Sequence, residues 1–388
     1  MQARQFDIII TGSGLAGLSL AYRAMKEGVW ANEKILIIDK QPKEKNDRTW
    51  CFWQDENEDS AFQEVVYKSW KELSFFTNEG RQIRLESGNY TYSMIRSVDF
   101  YHHVISFLSR SKQITFVYEN IVSIQNSENG GTVVTQDDSY QARYIFNSVY
   151  TKPQLSKQNQ YFLQHFKGVT IRTDQFKGSP LEMYLMDYRT SQENGTTFFY
   201  TLPISDQEVF VEYTIFSKAL LQQNEYDDKI AEYLRTVLKI TDYKIIENEY
   251  GVIPMTDFAF RRRSGNIIHI GTVGGDTRAS SGYTFTNTQK TISKILASYT
   301  KYGHPFSLTE NISQKHKLLD ATILNVLDTM HYQGHQIFTD LFTNAKAKTI
   351  FAFLDSESSV KDDLRIMCSL KANHFIRPFL KVCLQKLV

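Results

Sequence analysis

Cysteine is scarce in this chain. Cys51, Cys368 and Cys383 are the three among 388 residues, and no two have the spacing of a CxxC pair. That argues against a dithiol centre and points to a reduced, cytosolic chain. Excess charge is also missing: 44 Lys and Arg against 43 Asp and Glu leave +1. No global field draws such a chain to nucleic acid or to anionic membranes. No apolar run reaches the ~18–20 residues of a spanning helix. The opening Met1–Asp7 carries no signal-peptide core. The expectation is a soluble or membrane-surface protein. Aromatic residues, by contrast, are plentiful, with 26 Phe and 22 Tyr. They suit either a large core or a pocket for a large apolar substrate. The length allows about two domains, or one large two-part domain.

Asp7–Thr11 reads as a short buried strand broken by Gly12. Apolar residues at helical spacing follow from Leu15 to Lys26, and Gly28 ends them. A second buried strand, Lys34–Ile38, ends in Asp39. The whole is a βαβ unit in ~35 residues. Between its first strand and its helix lies Gly12-Ser13-Gly14-Leu15-Ala16-Gly17, a G-x-G-x-x-G, with Asp39 placed 22 positions past Gly17. Gly12 permits the tight turn, Gly14 the approach of a pyrophosphate, and Gly17 the close packing of helix on strand. The helix N-terminus offers N–H groups to phosphate, and Asp39 suits ribose hydroxyls. Leu15, Ala16 and Lys40 complete this candidate cofactor set. A second glycine cluster follows a strand at Ile267–Gly271: Gly271, Gly274, Gly275 and Asp276, then Gly282 and Tyr283. Two such clusters favour a long cofactor, FAD, over NAD. Residues 165–216 alternate in period two and predict an antiparallel sheet, Ser217–Leu238 a helix capped by Ser217, and residues from Ser313 onward almost continuous helix. His331 and His335 lie four apart without a third ligand, so no metal site is expected.

Asp47-Arg48-Thr49-Trp50-Cys51-Phe52-Trp53, Phe210-Val211-Glu212-Tyr213-Thr214, Gly251-Val252-Ile253-Pro254-Met255 and Gly271–Phe285, with the tail stretches Asp320–Leu327, Gly334–Phe342 and Phe353-Leu354-Asp355, together resemble the FAD-dependent lycopene β-cyclases of carotenoid biosynthesis. Tyr213 stands where the family has a second glutamate, and Ala279 where a proline is frequent. The resemblance implies an α/β fold: a Rossmann-like FAD-binding domain (residues 1–50, 96–150 and 251–300), interleaved with an antiparallel β-sheet substrate domain (51–95 and 151–250), then a helical C-terminal region (301–388). It implies cyclisation of the ψ-ends of lycopene, or of another ψ-ended carotenoid, to β-ionone rings, through a carbocation and without net redox change. Reduced FAD is the implied cofactor and NADPH its reductant.

For this chemistry Glu212 is the expected acid, because a carboxyl in an apolar strand has a raised pKa. Trp50, Phe52, Trp53 and Tyr213 are expected to face the cation, and Arg48 the flavin. A flavin hydroxylase, a polyprenyl reductase or a non-catalytic carotenoid-binding flavoprotein would share the fold. Apolar residues of the C-terminal helices, among them Phe375, Ile376, Phe379, Leu380 and Leu384, are interspersed with Lys371, Arg377, Lys381 and Lys386. That pattern serves either an interfacial helix or packing onto the core. The expected location is cytoplasmic, peripheral to the cytoplasmic membrane.

Overall fold

A computed structural model describes residues 3–56 and 61–387, with side chains through residue 385. Strands Ile267–His269, Ser139–Asn147, Arg4–Thr11, Ile35–Asp39 and Ile114–Tyr118 lie side by side, all parallel. Ile8, Ile9, Ile10 and Ile35–Ile38 are almost wholly buried, because both faces of this sheet are covered. Helices Leu15–Lys26, Ser97–Leu108 and Phe285–Tyr302 pack on one face. Val133, from a β-meander, closes over Ile9, Leu36 and Ile145 on the other. Gly17 is essential to this packing: a Cβ there would stand 2.0 Å from the Gly12 carbonyl oxygen.

A second, seven-stranded sheet is antiparallel except where Glu72–Phe76 runs beside Glu182–Asp187. At its far edge three strands lie in register: Glu208–Ser217, Tyr161–Arg172 and Lys244–Thr256. The last is unbroken through Thr256, so residues 251–256 belong to this sheet and not to the nucleotide part, as the sequence division had them. The period-two alternation stops at Ser217. The following helix is shorter than expected, Gln223–Thr236, and it is Gln222, with Glu225, that forms the capping box. A three-stranded sheet, Thr49–Asp55, Tyr90–Arg96 and Lys68–Trp70, bridges the two larger ones.

The C-terminal region is five helices, Gln314–Thr329, Gly334–Asn344, Ala347–Leu354, Val360–Cys368 and Asn373–Leu387. His331 precedes the second of them, so it shares no helix face with His335. One buried cation fixes these helices to the rest. Arg278 is 0% exposed; it donates to both Asp320 oxygens (2.9 and 2.7 Å), to the Phe353 and Leu354 carbonyls and to the Ser356 hydroxyl. Replacing Asp320 by Ala leaves that guanidinium buried without its counter-ion. The expected cost is about 3–5 kcal/mol of unfolding free energy, read as a lowered urea midpoint.

Candidate active site

Period-two alternation sorts the strand Glu208–Ser217 into two faces. Val209, Val211, Tyr213 and Ile215 pack with Tyr226, Ile230 and Tyr233 of the capped helix. Phe210, Glu212 and Phe216 turn the other way. Glu212 thereby faces a cavity of about 460 Å³ between the sheet and the N-terminus of helix Leu15–Lys26. Tyr213, expected to face the cation, is 0% exposed on the far side and stacks on Phe199. Strand parity makes that exchange of faces unavoidable for neighbours in sequence.

A second carboxylate, not anticipated from the sequence, meets Glu212. Gly168 lies directly between Glu212 on one neighbouring strand and Glu249 on the other. With no side chain at Gly168, the two carboxyl groups reach one another and hydrogen-bond across the gap. Both are buried, at 8% and 6% exposure. The Thr214 hydroxyl donates to Glu212 Oε1 (2.6 Å) and the Thr49 hydroxyl to Glu249 Oε2 (2.6 Å). Burial, then the charge of Glu249, pushes the Glu212 carboxyl well above the usual carboxylate range. Burial raises Glu249 too, to about 7, against the pull of Thr49 and Arg48. Two signals could have found it: a glycine inside a strand marks close approach, and Glu249 shares parity with Gly251.

The far side of the cavity is the glycine loop. Gly14, Leu15 and Ala16 line it, with Lys43, Arg48, Gly271, Gly282 and Tyr283. The helix carries no side-chain cap and no acidic residue in its first turn, so its N–H groups are available to an anion. A Cβ on Gly14 would meet nothing within 4 Å, which leaves an open cradle. Gln164 Oε1, Ser281 Oγ and Thr288 Oγ1 are buried polar atoms on the same cavity, without a partner among the described residues. A long phosphate-bearing cofactor with a polar ring system fits these donors and acceptors. Asp39 accepts from the Ser13 N–H (2.7 Å) and hydroxyl (2.8 Å), which holds the loop. Its carboxyl is lowered despite the opposing effect of burial, by the Ser13 hydrogen bonds and Lys43.

Seven expected cofactor residues do not line the cavity: Gly12, Gly17, Asp39, Lys40, Gly274, Gly275 and Asp276. Lys40 is exposed, and Lys43, one turn of chain later, takes its place. Asp276 is 0% exposed and braces its own loop through the Gly271 N–H, Arg262 and Thr291. Gly274 and Gly275 shape the same turn: a Cβ on Gly274 would fall 2.3 Å from the His269 carbonyl oxygen.

A second cavity, about 370 Å³ and almost wholly apolar, lies between the sheet and the C-terminal helices. Tyr200, Ser281 and Tyr283 border both cavities, so the two meet there. At this junction the hydroxyls of Tyr92, Tyr200 and Tyr283 come together. Trp50 lines the polar cavity. Trp53 lines the apolar one and stacks on Phe351 at 3.7 Å. Phe52, expected beside them, points instead into the core of the nucleotide part and stacks on Phe285 at 4.1 Å.

The family model "Lycopene cyclase protein" matches residues 7–382. The chain belongs to the lycopene cyclase family. Among curated relatives of this lycopene cyclase family chain are neoxanthin synthase, chloroplastic, of Solanum lycopersicum (24% identical over 297 residues) and capsanthin/capsorubin synthase, chromoplastic, of Capsicum annuum (23% over 303). Each match covers 72% of this chain and 57% of the relative, so the matched region spans little more than half of either plant protein. Similar solved structures include a geranylgeranyl bacteriochlorophyll reductase-like protein of Thermoplasma acidophilum (TM-score 0.64, 11% identity, 98% of this chain and 100% of that one). Another is a flavoprotein/dehydrogenase of Cytophaga hutchinsonii (TM-score 0.59, 12% identity, 99% and 100%). These likenesses establish the flavoprotein-type α/β fold of this cyclase family member.

Proposed function

We propose that this chain is an FAD-dependent lycopene β-cyclase that closes the ψ-ends of lycopene, or of another ψ-ended carotenoid, into β-ionone rings. The observation that carries the reading is the buried Glu212 carboxyl, facing a cavity that shares Tyr200, Ser281 and Tyr283 with an apolar one. FAD fits the glycine cradle, with Gly14, Gly271, Arg48 and Lys43 as its holders. When bound and reduced, by NADPH in this proposal, it supplies negative charge near the reacting end.

The chain's own residues account for the rest. The apolar cavity takes the polyene and excludes water. The Glu212 carboxyl gives its proton to the terminal double bond, leaving a tertiary cation. The neighbouring double bond attacks this cation and forms the ring C–C bond. A ring proton then leaves to the carboxylate, so no electrons enter or depart. In a low-dielectric site the carboxylate charge stabilises the cation far more than it would in water. The Trp50 ring can add a cation–π contribution of up to ~2 kcal/mol when desolvated. Expression in lycopene-accumulating bacteria tests the activity. Cyclised pigment is expected; saturated or oxygenated products would overturn it in favour of a flavin oxidoreductase.

We also propose that the C-terminal helices rest on the cytoplasmic membrane surface and admit the carotenoid from it. No described helix is long and apolar enough to cross a membrane. Met367, Ile376 and Leu380 line the apolar cavity while remaining 40–57% exposed, and Leu364 and Leu384 extend the patch at 56% and 66%. Lys371, Arg377 and Lys381 are exposed around it, as an interfacial helix requires. Replacing Leu364 and Leu384 by Ser should weaken vesicle flotation about tenfold or more, since burying one such side chain is worth roughly 1.5–3 kcal/mol. The thermal midpoint should not move. Unchanged flotation would refute the contact.

A further inference from the structure

We infer that Glu212 and Glu249 hold a single proton between them, and that Glu249 is a positioning residue which, as the anionic partner, keeps that proton on Glu212 and directed to the cavity. The catalytic consequence rests on the cyclase reading; the shared proton rests on geometry.

Gly168 sets the two carboxyl groups face to face. A Cβ there would fall 2.5 Å from the Phe210 ring and 3.2 Å from Glu249 Cγ, so the gap is kept by the absent side chain. Glu249 Oε1 is buried with no N–H or O–H donor among the described residues. A buried acceptor needs a donor. The Glu249 carboxyl interacts across the gap with the Glu212 carboxyl, which can donate to it only if protonated. Two carboxylates in such contact do not both ionise.

The surroundings decide which of them keeps the proton. The Thr49 hydroxyl and the Arg48 charge favour the anion at Glu249, and Asp47 opposes them. Arg48 itself is anchored on the Tyr250 carbonyl beside Glu249 (2.9 Å). Glu247, two residues along the strand, is occupied by Asn46 (3.0 Å) and Arg96 (3.6 Å). Facing Glu212 are the Thr214 hydroxyl, the Cys51 thiol and Tyr200, and none of these is a cation. After the proton goes to substrate the pair carries two negative charges beside the cation. That excess makes the pair a stronger base for the departing ring proton, so one turnover returns it to its starting charge.

Infrared titration of the substrate-free protein tests the pair. Wild type should show a protonated carboxyl band near neutral pH that is lost in Glu212→Gln. In Glu249→Gln the loss of this band on raising pH should move down by about one unit or more, and the basic limb of kcat should move down with it. Thr49→Val, which removes one donor and little volume, should move the first deprotonation step of the pair upward. Titrations and limbs unmoved in both variants would overturn the shared proton. A chain that shows the shifting band but makes no cyclised product would instead support the pair and defeat the cyclase reading.

Discussion

Glu212→Gln should lower cyclisation by about 10³-fold or more, the range expected when a positioned general acid is lost, while the protein stays folded and keeps its flavin. Gln nearly matches Glu in shape and can still accept from Thr214, but it has no proton to give. The pH dependence in wild type has a definite sign. Burial and Glu249 raise the Glu212 pKa, so the active, protonated form persists to higher pH than in an ordinary glutamate and is lost as pH rises through the raised value. Stability follows the same direction. An unfolded glutamate ionises near 4.5, so the carboxyl's contribution to folding is full below that pH and is lost progressively above it, up to the folded pKa. The Gln variant lacks this titration, so its melting temperature should gain on wild type as pH rises. Pigment analysis gives the rate and calorimetry the control. A Gln variant that still cyclises at wild-type speed would remove Glu212 from the chemistry.

Gly14→Ala should abolish flavin binding without unfolding the chain. No atom of the protein lies within 4 Å of the added Cβ, and the Gly14 backbone is extended (φ −85°), which alanine adopts freely. The methyl group therefore occupies only space that a pyrophosphate would need. The expected result is a colourless preparation, FAD affinity lowered at least a hundredfold (about 2.7 kcal/mol), and an unchanged melting temperature. Gly17→Ala is the contrasting case. Its Cβ would sit 2.0 Å from a backbone oxygen, so helix and strand must separate and stability itself falls, by about 1–3 kcal/mol or more. Retention of FAD by the Gly14 variant would refute the cradle.

The sequence made the nucleotide half legible because its chemistry is local: strand, glycine turn, helix and Asp39 lie within 39 residues. Glu212 was legible through the family resemblance, since the strand pattern alone equally allowed it to face outward. Glu249 was not, because its role depends on two non-local pairings that meet at Gly168. Tyr213, expected to face the cation from the position of the family's second glutamate, is turned to the other face by strand parity. Phe52 failed in the same way, between Cys51 and Trp53, which face the other side. Asp276 was placed on the cofactor because it follows a glycine turn, yet an acid there can equally satisfy the turn's own N–H groups, and it does. Lys40 and Lys43 differ only in how the loop after Asp39 folds, which no periodicity reports.

Arg278 leaves the glycine-rich loop beside the cofactor cradle and ends on carbonyls of the helices that roof the apolar cavity. Loop and roof therefore share one anchor, and the order of either is felt by the other. Thermodynamic reciprocity then applies. By whatever factor a nucleotide in the cradle tightens the grip on a hydrocarbon guest, the guest tightens the grip on the nucleotide. Under the proposed function, coupling through Arg278 predicts that the flavin is held best when the carotenoid is abundant.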